Sequence, residues 1–311
     1  MKLSKKILAA LSAAALLATT ALFASCSDDE DDDKNGTAYV TLPESVGENP
    51  LKGKTWQIEN DEEGATCSWK FTDTTATYTY SRTDYTDIET FKYSYDANQN
   101  LLYLALQSES VTDDGKTFSW SSVEEYEEQM KKWYEEEGES LSDVELESEL
   151  EYCKQVFSTR GVRKYTIDED GSLTLEDYFD GKLPTACYFV KEIDESDLPS
   201  EYTYGSVRLF DIWLEDSECM YLYDYYLSFN SEAKTFSGKL YSQTRADGEE
   251  WSDTTKLGTV TGTYTTEGIG TRGCKVTLTF KELPDGVPVI KTDTAYVLEM
   301  DSDSDTYTLV K

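Results

Sequence analysis

The run Thr75-Ala-Thr-Tyr-Thr-Tyr-Ser81 gives the clearest indication of the fold. Its apolar members, Ala76, Tyr78 and Tyr80, occupy every second position, and hydroxyl residues fill the positions between them. Because successive side chains of a β-strand point to opposite faces, a period of two predicts a strand with one buried and one exposed face. Similar alternation elsewhere predicts strands at 56–60, 67–71, 75–81, 89–95, 101–107, 163–167, 172–175, 186–192, 207–214, 220–230, 235–244, 256–266, 276–280, 295–300 and 306–310.

Short polar segments separate many of these predicted strands. Residues 96–100 (DANQN), 169–171 (EDG) and 246–248 (ADG) contain Asn, Asp or Gly, which tolerate positive φ or form Asx turns. Turns this short join antiparallel neighbours, because parallel strands need a longer crossover. The sequence therefore predicts a mainly β protein, built from an antiparallel meander that forms a barrel or a sandwich.

One segment has helical spacing instead. Apolar residues recur every three or four positions within 121–137, and again at 146, 150, 153 and 157. Ser121 with Glu124 fits a capping box, Gly138 is suited to end the first helix, and Ser140 with Asp143 is suited to open a second. We expect a helical hairpin at about 121–157, inserted into the β structure with its glutamates facing solvent.

The polar stretch 194–201 (DESDLPSE) divides the β-rich part of the chain into two halves. We expect 51–195 to form a β-barrel-like domain that carries the helical insertion, and 200–311 to form a second β-meander or barrel-like domain. No strict repeat relates the halves, so the pattern leaves open whether the chain forms one barrel or two.

Composition restricts the chemistry. The chain has 62 acidic and 28 basic residues, and its formal net charge of -34 would repel nucleic acid. It has no His, which excludes Ser/His/Asp triads, Cys/His pairs and His-ligated metals. Carboxylate pairs, Tyr, Lys or an oxygen-ligated metal remain, but no motif singles out a pair of carboxylates. We therefore expect a non-catalytic protein without a cofactor.

The cysteines show no metal or redox spacing. Apart from Cys26 there are five, with no CxxC pair, so one at least has no disulfide partner within the chain. Their pairing is left open, and each is expected to be a small buried apolar residue. They are Cys67, Cys153, Cys187, Cys219 and Cys274.

The N-terminal segment contains an export signal. Lys2, Lys5 and Lys6 precede an apolar run at 7–24, and small residues lead to Cys26. This pattern resembles the signal of the lipobox lipoproteins, whose cysteine is acylated and becomes the new N-terminus. The resemblance implies a signal peptide at 1–25 and a lipid anchor of the palmitate type on Cys26. A secretory signal cleaved near Ala24, or a weak membrane span, would be the alternative.

An acidic run follows Cys26, and we expect residues 26–50 to comprise the acylated cysteine and an acidic tether. Residues 27–37 (SDDEDDDKNGT) contain no apolar residue and should stay solvated. Such a run also resembles the signal that sends some lipoproteins to the cell surface. The implied location is the cell envelope, anchored to the outer membrane, on its periplasmic or its surface-exposed face.

Two further motifs are similar to pieces of the bacterial lipocalin-like lipoproteins. Leu51-Lys-Gly53-Lys-Thr-Trp56 resembles the Gly and aromatic pair of the first strand, and Gly262-Thr-Tyr264 resembles a later hairpin of that family. The resemblance implies one or two lipocalin-like (calycin-type) β-barrels with the helical hairpin inserted. It also implies a ligand-binding role.

An aromatic strand face is the candidate ligand site. The run 220–229 (MYLYDYYLSF) places Tyr221, Tyr223, Tyr225 and Phe229 on one face, where they could stack on a sugar, line an apolar cavity or pack in a core. A second candidate, Asp301-Ser-Asp-Ser-Asp305, lacks the later ligands of a calcium loop and is interpreted as a turn. No metal site is therefore expected.

These observations lead to a functional hypothesis with two alternatives. We expect a lipid-anchored, non-catalytic envelope protein that binds a small apolar molecule or a glycan, with no nucleic-acid partner. The alternatives are a surface adhesion or assembly protein that binds an unknown protein partner, and a carboxylate-dependent glycoside hydrolase.

Overall fold

The structure is a computed structural model that describes residues 40–60, 64–138, 141–158, 160–181, 190–192, 194–208, 211–270, 274–287, 295–298 and 305–310. The predicted signal peptide, Cys26, residues 27–39, Cys187 and Asp301 to Ser304 lie outside these ranges. The first eight strands and both helices are β1 (Thr55–Asn60), β2 (Ala65–Phe71), β3 (Thr75–Arg82), β4 (Tyr85–Asp96), β5 (Leu101–Asp113), β6 (Lys116–Trp120), α1 (Val123–Glu137), α2 (Asp143–Phe157), β7 (Gly161–Ile167) and β8 (Leu173–Asp177). The remaining strands are β9 (Val190–Glu192), β10 (Tyr204–Arg208), β11 (Asp211–Glu215), β12 (Cys219–Asn230), β13 (Thr235–Ala246), β14 (Thr255–Glu267), β15 (Cys274–Glu282), β16 (Ala295–Leu298) and β17 (Asp305–Leu309).

The first sheet is a closed eight-stranded antiparallel barrel. Its order is β1-β2-β3-β4-β5-β7-β8-β17, and β17 pairs with β1 to complete the ring. The inward positions hold the aromatic residues that the alternation of 75–81 predicts. Tyr78 and Trp69 pair across β2 and β3, and both are buried. The predicted mainly β fold, with an antiparallel barrel and an inserted helical hairpin, is confirmed.

The C-terminal strand belongs to this first barrel. In β17, Leu309 lies opposite Trp56 of β1, and Asp305 lies opposite Leu175 of β8. Strands β9–β16 are therefore inserted in the chain between two neighbouring strands of the barrel. The division into 51–195 and 200–311 stays a prediction, but it grouped 306–310 with the later half. Alternation reveals which face of a strand is buried and says nothing about its partner.

The chain before β1 is hydrogen-bonded to the barrel wall. The backbone of Val46 bonds to Tyr95 and Ala97, and the Asn49 side chain donates to the Tyr93 hydroxyl at 2.7 Å. The final residues of the range expected as a tether are thus attached to the barrel wall. Just beyond them, the indole Nε1 of Trp56 donates to a backbone carbonyl of the β7–β8 turn at 2.9 Å, so the ring is fixed inside the barrel.

The second sheet is an eight-stranded meander that forms a half-barrel, in the order β16-β15-β14-β13-β12-β11-β10-β9. The single strand predicted at 207–214 is wrong. It is a hairpin, β10–β11, in which Arg208 lies opposite Asp211. The two residues between them, Leu209 and Phe210, are neither Gly, Pro nor Asn, so the sequence carries no turn signal there.

Strand β6 was also missed. It follows a tight turn at Asp114 and Gly115, whose φ angles of 47° and 78° are those of a left-handed hairpin connection. Strand β5 is long enough to pair with β7 through its first residues and with β6 through its last. As a result β6 and β7 lie one after the other along the same edge of β5, and the helical hairpin connects β6 to β7.

The hairpin begins slightly later than the capping motifs predict. Its N-caps are Ser122, which accepts from the Glu125 amide, and Ser142, which forms a full capping box with Glu145. The predicted caps Ser121 and Ser140 are wrong, because an equivalent serine stands one or two positions later in each case. Gly138 ends α1 at φ 72°, as the sequence predicts.

The hairpin packs against both sheets. On the barrel side, Phe118 of β6 stacks on Trp133 of α1, with ring centroids 5.2 Å apart. On the other side, the Lys239 ammonium of β13 lies 2.9 Å from carboxylate oxygens of both Glu147 and Glu151 of α2. The hairpin therefore connects the barrel wall with the outer surface of the second sheet. Within the described ranges, no helix has the length and apolarity that crossing a membrane requires.

If β17 completes the barrel, removing its inward side chain should destabilise the whole sheet. Tyr307 is 2% exposed, so we expect Tyr307→Ala to lower the free energy of unfolding by about 3 to 5 kcal/mol, as other large-to-small core changes do. The control is Tyr204→Ala, at a side chain 46% exposed, which should change it by less than about 0.5 kcal/mol. Urea unfolding of the two variants measures the difference, and equal effects would show that β17 contributes little to the barrel.

Candidate functional site

The predicted aromatic face of β12 lies in the core of the second sheet. Tyr223, Tyr225 and Phe229 are buried, and Phe229 packs edge-to-face on Tyr264 with centroids 5.0 Å apart. Tyr221 stands apart from them: it is partly exposed, and its hydroxyl donates to Asp216 at 2.8 Å. The structure thus brings three of the four residues together inside a packed core. Ligand binding by this face stays a prediction.

A different group of side chains occupies one half of the barrel interior. Along β4, the inward face carries Tyr85, Asp87, Glu89, Phe91 and Tyr93, all buried. Phe91 and Tyr93 lie toward the aromatic half of the barrel, and the three residues before them face its other half. Two carboxyl groups therefore project into the interior from one strand, at positions where alternation would place apolar side chains.

A third carboxyl group comes from the next strand. Glu109 of β5 lies directly opposite Glu89, so their side chains share the inward face. We call Asp87, Glu89 and Glu109 the acidic cluster. On its other side Glu109 faces Trp120 of β6, whose ring packs on Tyr126 of α1 at 5.1 Å. The helical hairpin therefore lies next to the acidic cluster.

Several polar atoms of this region have no hydrogen-bond partner among the described residues. Both carboxylate oxygens of Asp87 are buried and have no such partner, and the same is true of Oε2 of Glu89 and the hydroxyl of Tyr85. The side chains of Asp87 and Glu89 are 0% and 2% exposed, so bulk water does not solvate them. A buried acceptor without a donor costs about 1 to 3 kcal/mol, and more when it is charged.

Burial determines the protonation of the acidic cluster. It raises the pKa of Asp87 to about 7, and it raises the pKa of both glutamates well above the ordinary value. The negative charge of Asp87 raises the pKa of each glutamate further. The cluster therefore resists carrying several negative charges at once near neutral pH.

Two arginines lie close to the acidic cluster, and both have other neighbours. Arg82 lies over the Tyr85 ring, 5.2 Å from its centroid. Arg163 of β7 lowers the pKa of Glu89, and its Nη1 lies 3.7 Å from Asp177 of β8. Their charge is thus shared with further acidic or aromatic groups.

The hairpin contributes a fourth carboxyl, that of the partly buried Glu149, beside this cluster. The hydroxyl of Tyr126 donates to Glu149 at 3.1 Å, and burial raises the pKa of Glu149 to about 7. The thiol of Cys153 is buried near Glu109 and Glu149, and burial raises its pKa above the ordinary range. Cys67 and Cys153 are buried free thiols, as expected, whereas Cys219 is a free thiol that is partly exposed, so the expected burial is wrong for Cys219. The side chains of Cys26, Cys187 and Cys274 lie outside the described residues.

The arrangement favours binding of donors over metal ligation. In the part of the chain that the structure describes, no three Cys, Asp or Glu side chains converge as metal ligands would. Among the buried atoms without a partner here, the carboxylate oxygens and the Tyr85 hydroxyl can accept hydrogen bonds from a ligand, and the indole Nε1 of Trp69 can donate one. Aromatic rings lie beside the acidic cluster, because Tyr78 of β3 is directly opposite Glu89. The Trp69 ring packs on Tyr78 at 5.1 Å and on Phe91 at 5.7 Å, centroid to centroid.

Sequence reasoning missed the acidic cluster, although one signal for it was present. The strand predicted at 89–95 begins in the middle of β4. Extending the same alternation back to Tyr85 places Asp87 and Glu89 on the face of Phe91 and Tyr93. Two acids on an otherwise aromatic face indicate an inward polar site, but only the closed barrel shows that this face has no solvent beside it.

Comparison of the chain with protein-family models, with curated proteins and with solved structures found no match.

The raised pKa of Asp87 predicts an unusual dependence of stability on pH. The native protein keeps a proton that the unfolded chain releases near pH 4, so stability falls as the pH rises from about 4 towards 7. We expect Asp87→Asn to reduce this pH-dependent loss of stability. It should raise the free energy of unfolding at pH 8 by up to roughly 4 kcal/mol.

Denaturant unfolding of wild type and variant at pH 5 and pH 8 measures this effect. The matched control is Glu176→Gln, a carboxyl on the outer face of β8, opposite Lys164. It should leave the pH dependence unchanged. A variant Asp87→Asn that is less stable than wild type at pH 8 would show that the carboxylate is stabilised in the native barrel.

Proposed function

We propose that this protein is a lipid-anchored, non-catalytic component of the bacterial cell envelope that binds a small molecule in its closed β-barrel. The observation that carries the proposal is the buried set of polar atoms without partners, on Tyr85, Asp87 and Glu89. Leaving such atoms unsatisfied lowers stability, so their presence inside a barrel indicates a site that a ligand completes.

The aromatic half of the barrel supports a ligand that is partly apolar. Trp69, Phe91 and Tyr78 form a continuous wall beside the acidic cluster. Aromatic faces make favourable contacts with hydrocarbon and with the apolar faces of sugar rings. A small apolar molecule with a polar end, or a glycan, would match this division of the interior.

The anchor is proposed from the N-terminal sequence. The run that ends at Cys26 resembles a lipobox, and the following acidic residues would separate the barrel from the bilayer. Acylation of Cys26 would place the barrel at the outer membrane, on its periplasmic or its surface face. Among the alternatives, protein binding would use the barrel exterior and the helical hairpin. Glycoside hydrolysis would use the carboxyl groups with raised pKa, and its sugar, like any other ligand of this site, would have to reach the buried side chains of Asp87 and Glu89.

Replacing the proposed anchor residue tests the location. We expect Cys26→Ser to move the chain from the detergent-rich to the aqueous phase in a detergent phase-separation assay, because the acyl chains supply the membrane affinity. Mass spectrometry should show the diacylglyceryl mass on the wild-type N-terminus only. A wild-type chain that begins upstream of Cys26, or carries no acyl mass, would contradict the anchor.

Native mass spectrometry tests the ligand. The full chain, purified from its own envelope extract, is expected to carry an added mass that delipidation removes while the barrel stays folded. The retained mass identifies the ligand class. A folded protein that is empty before and after delipidation would exclude the binding function and favour a protein partner.

A further inference from the structure

We propose that the acidic half of the barrel selects an organic cation, so that the ligand carries an ammonium or guanidinium group at its polar end and hydrocarbon at the other. This inference rests on the proposed small-molecule function and names the chemistry that the site would recognise. The geometry of Tyr85, Asp87, Glu89 and Glu109 carries it, together with the charges around them.

The unpartnered atoms define what the ligand must supply. Without a cation beside them, the carboxyl groups of Asp87 and Glu89 hold protons near neutral pH, and a bound cation would favour their ionised form. Once ionised, both oxygens of Asp87 and Oε2 of Glu89 are hydrogen-bond acceptors only. A ligand that completes them must therefore bring several donors on one small group. An ammonium offers three and a guanidinium five, whereas an alcohol offers one.

The grouping of three acids defines the sign of the charge that the ligand would carry. The acidic cluster brings three carboxyl groups to one region, and Glu89 lies directly opposite Glu109. Like charges placed opposite each other on neighbouring strands are destabilising, and a bound cation removes that repulsion. The two nearby arginines are not dedicated to neutralising the acidic cluster, because each also contacts another group. Arg82 lies over the Tyr85 ring, and Arg163 faces Asp177.

The surrounding barrel gives the cation a second kind of contact. The hydroxyl of Tyr85 also lacks a partner and is 3% exposed, so it adds a neutral oxygen to the carboxylate oxygens. Tyr78 lies directly opposite Glu89 on the neighbouring strand, and its ring packs on Trp69. Rings attract cations through their electron-rich faces, and their edges and faces accept hydrocarbon.

This distribution separates the site from a metal site. Metal ions need several oxygen ligands converging on one point, and no three Cys, Asp or Glu side chains of the described ranges do so. An organic cation can instead bond to carboxylates that are spread along β4 and across to β5, because its donors point in different directions.

Matched ligand series test the inference on the full chain in detergent solution. Primary n-alkylamines of two to eight carbons and n-alcohols of the same lengths are titrated by isothermal calorimetry. We expect the best amine to bind at least about tenfold more tightly than its alcohol, since one charge-assisted hydrogen bond contributes that much. Asp87→Asn and Glu89→Gln should each weaken amine binding about tenfold and leave alcohol binding within about twofold.

Two controls make the result specific. Glu176→Gln removes the same charge from the outer face of β8 and should leave amine binding unchanged, which separates the site from general attraction to an acidic protein. Glu109→Gln serves as the second cluster variant if circular dichroism shows that Asp87→Asn does not fold. A calcium titration accompanies the series.

The outcomes distinguish this inference from the proposed function. If alcohols bind as tightly as amines, or if the cluster variants bind amines as wild type does, cation selection is wrong and small-molecule binding stands. If calcium binds and Asp87→Asn abolishes it, the site is a metal site. If neither series binds and the protein from envelope extract is empty, both proposals fail.

Discussion

The barrel is closed because β17 pairs with β1 on one side and with β8 on the other. This pairing turns an open sheet into a ring, and a ring has an interior from which solvent is excluded. Inward positions such as Tyr78 and Trp69 are buried because of it. So are Asp87 and Glu89, which on an open sheet could stay solvated and would keep ordinary pKa values.

Closure of the barrel therefore has two opposite effects on the stability of the fold. The aromatic half contributes burial of large rings, which favours folding. The acidic half opposes folding, because carboxyl groups are placed where neither water nor a protein donor reaches all their oxygens. Natural proteins keep such costs mostly at functional sites, and this is the physical basis for assigning a ligand to the acidic half.

Much of the architecture could be predicted from the sequence, since period-two alternation and short turns determine strands and their local antiparallel order. The hairpin was predicted as well, although Ser122 and Ser142, not Ser121 and Ser140, cap its helices. What could not be predicted depends on distant parts of the chain. Nothing in 306–310 indicates that the last strand pairs with the first, and Glu109 reveals its importance only when it lies opposite Glu89.

The position of β17 also has a consequence for the order of folding. Its partner β1 lies about 250 residues earlier in the chain. Pairing β17 with β1 therefore closes one of the longest loops in this chain. A chain made from its N-terminus presents β1 and β8 as unpaired edges until β17 emerges. The second sheet, whose strands pair with near neighbours, can form first. Closure of the barrel would then be the last event in the maturation of the protein, and early truncation would leave two edges open to aggregation.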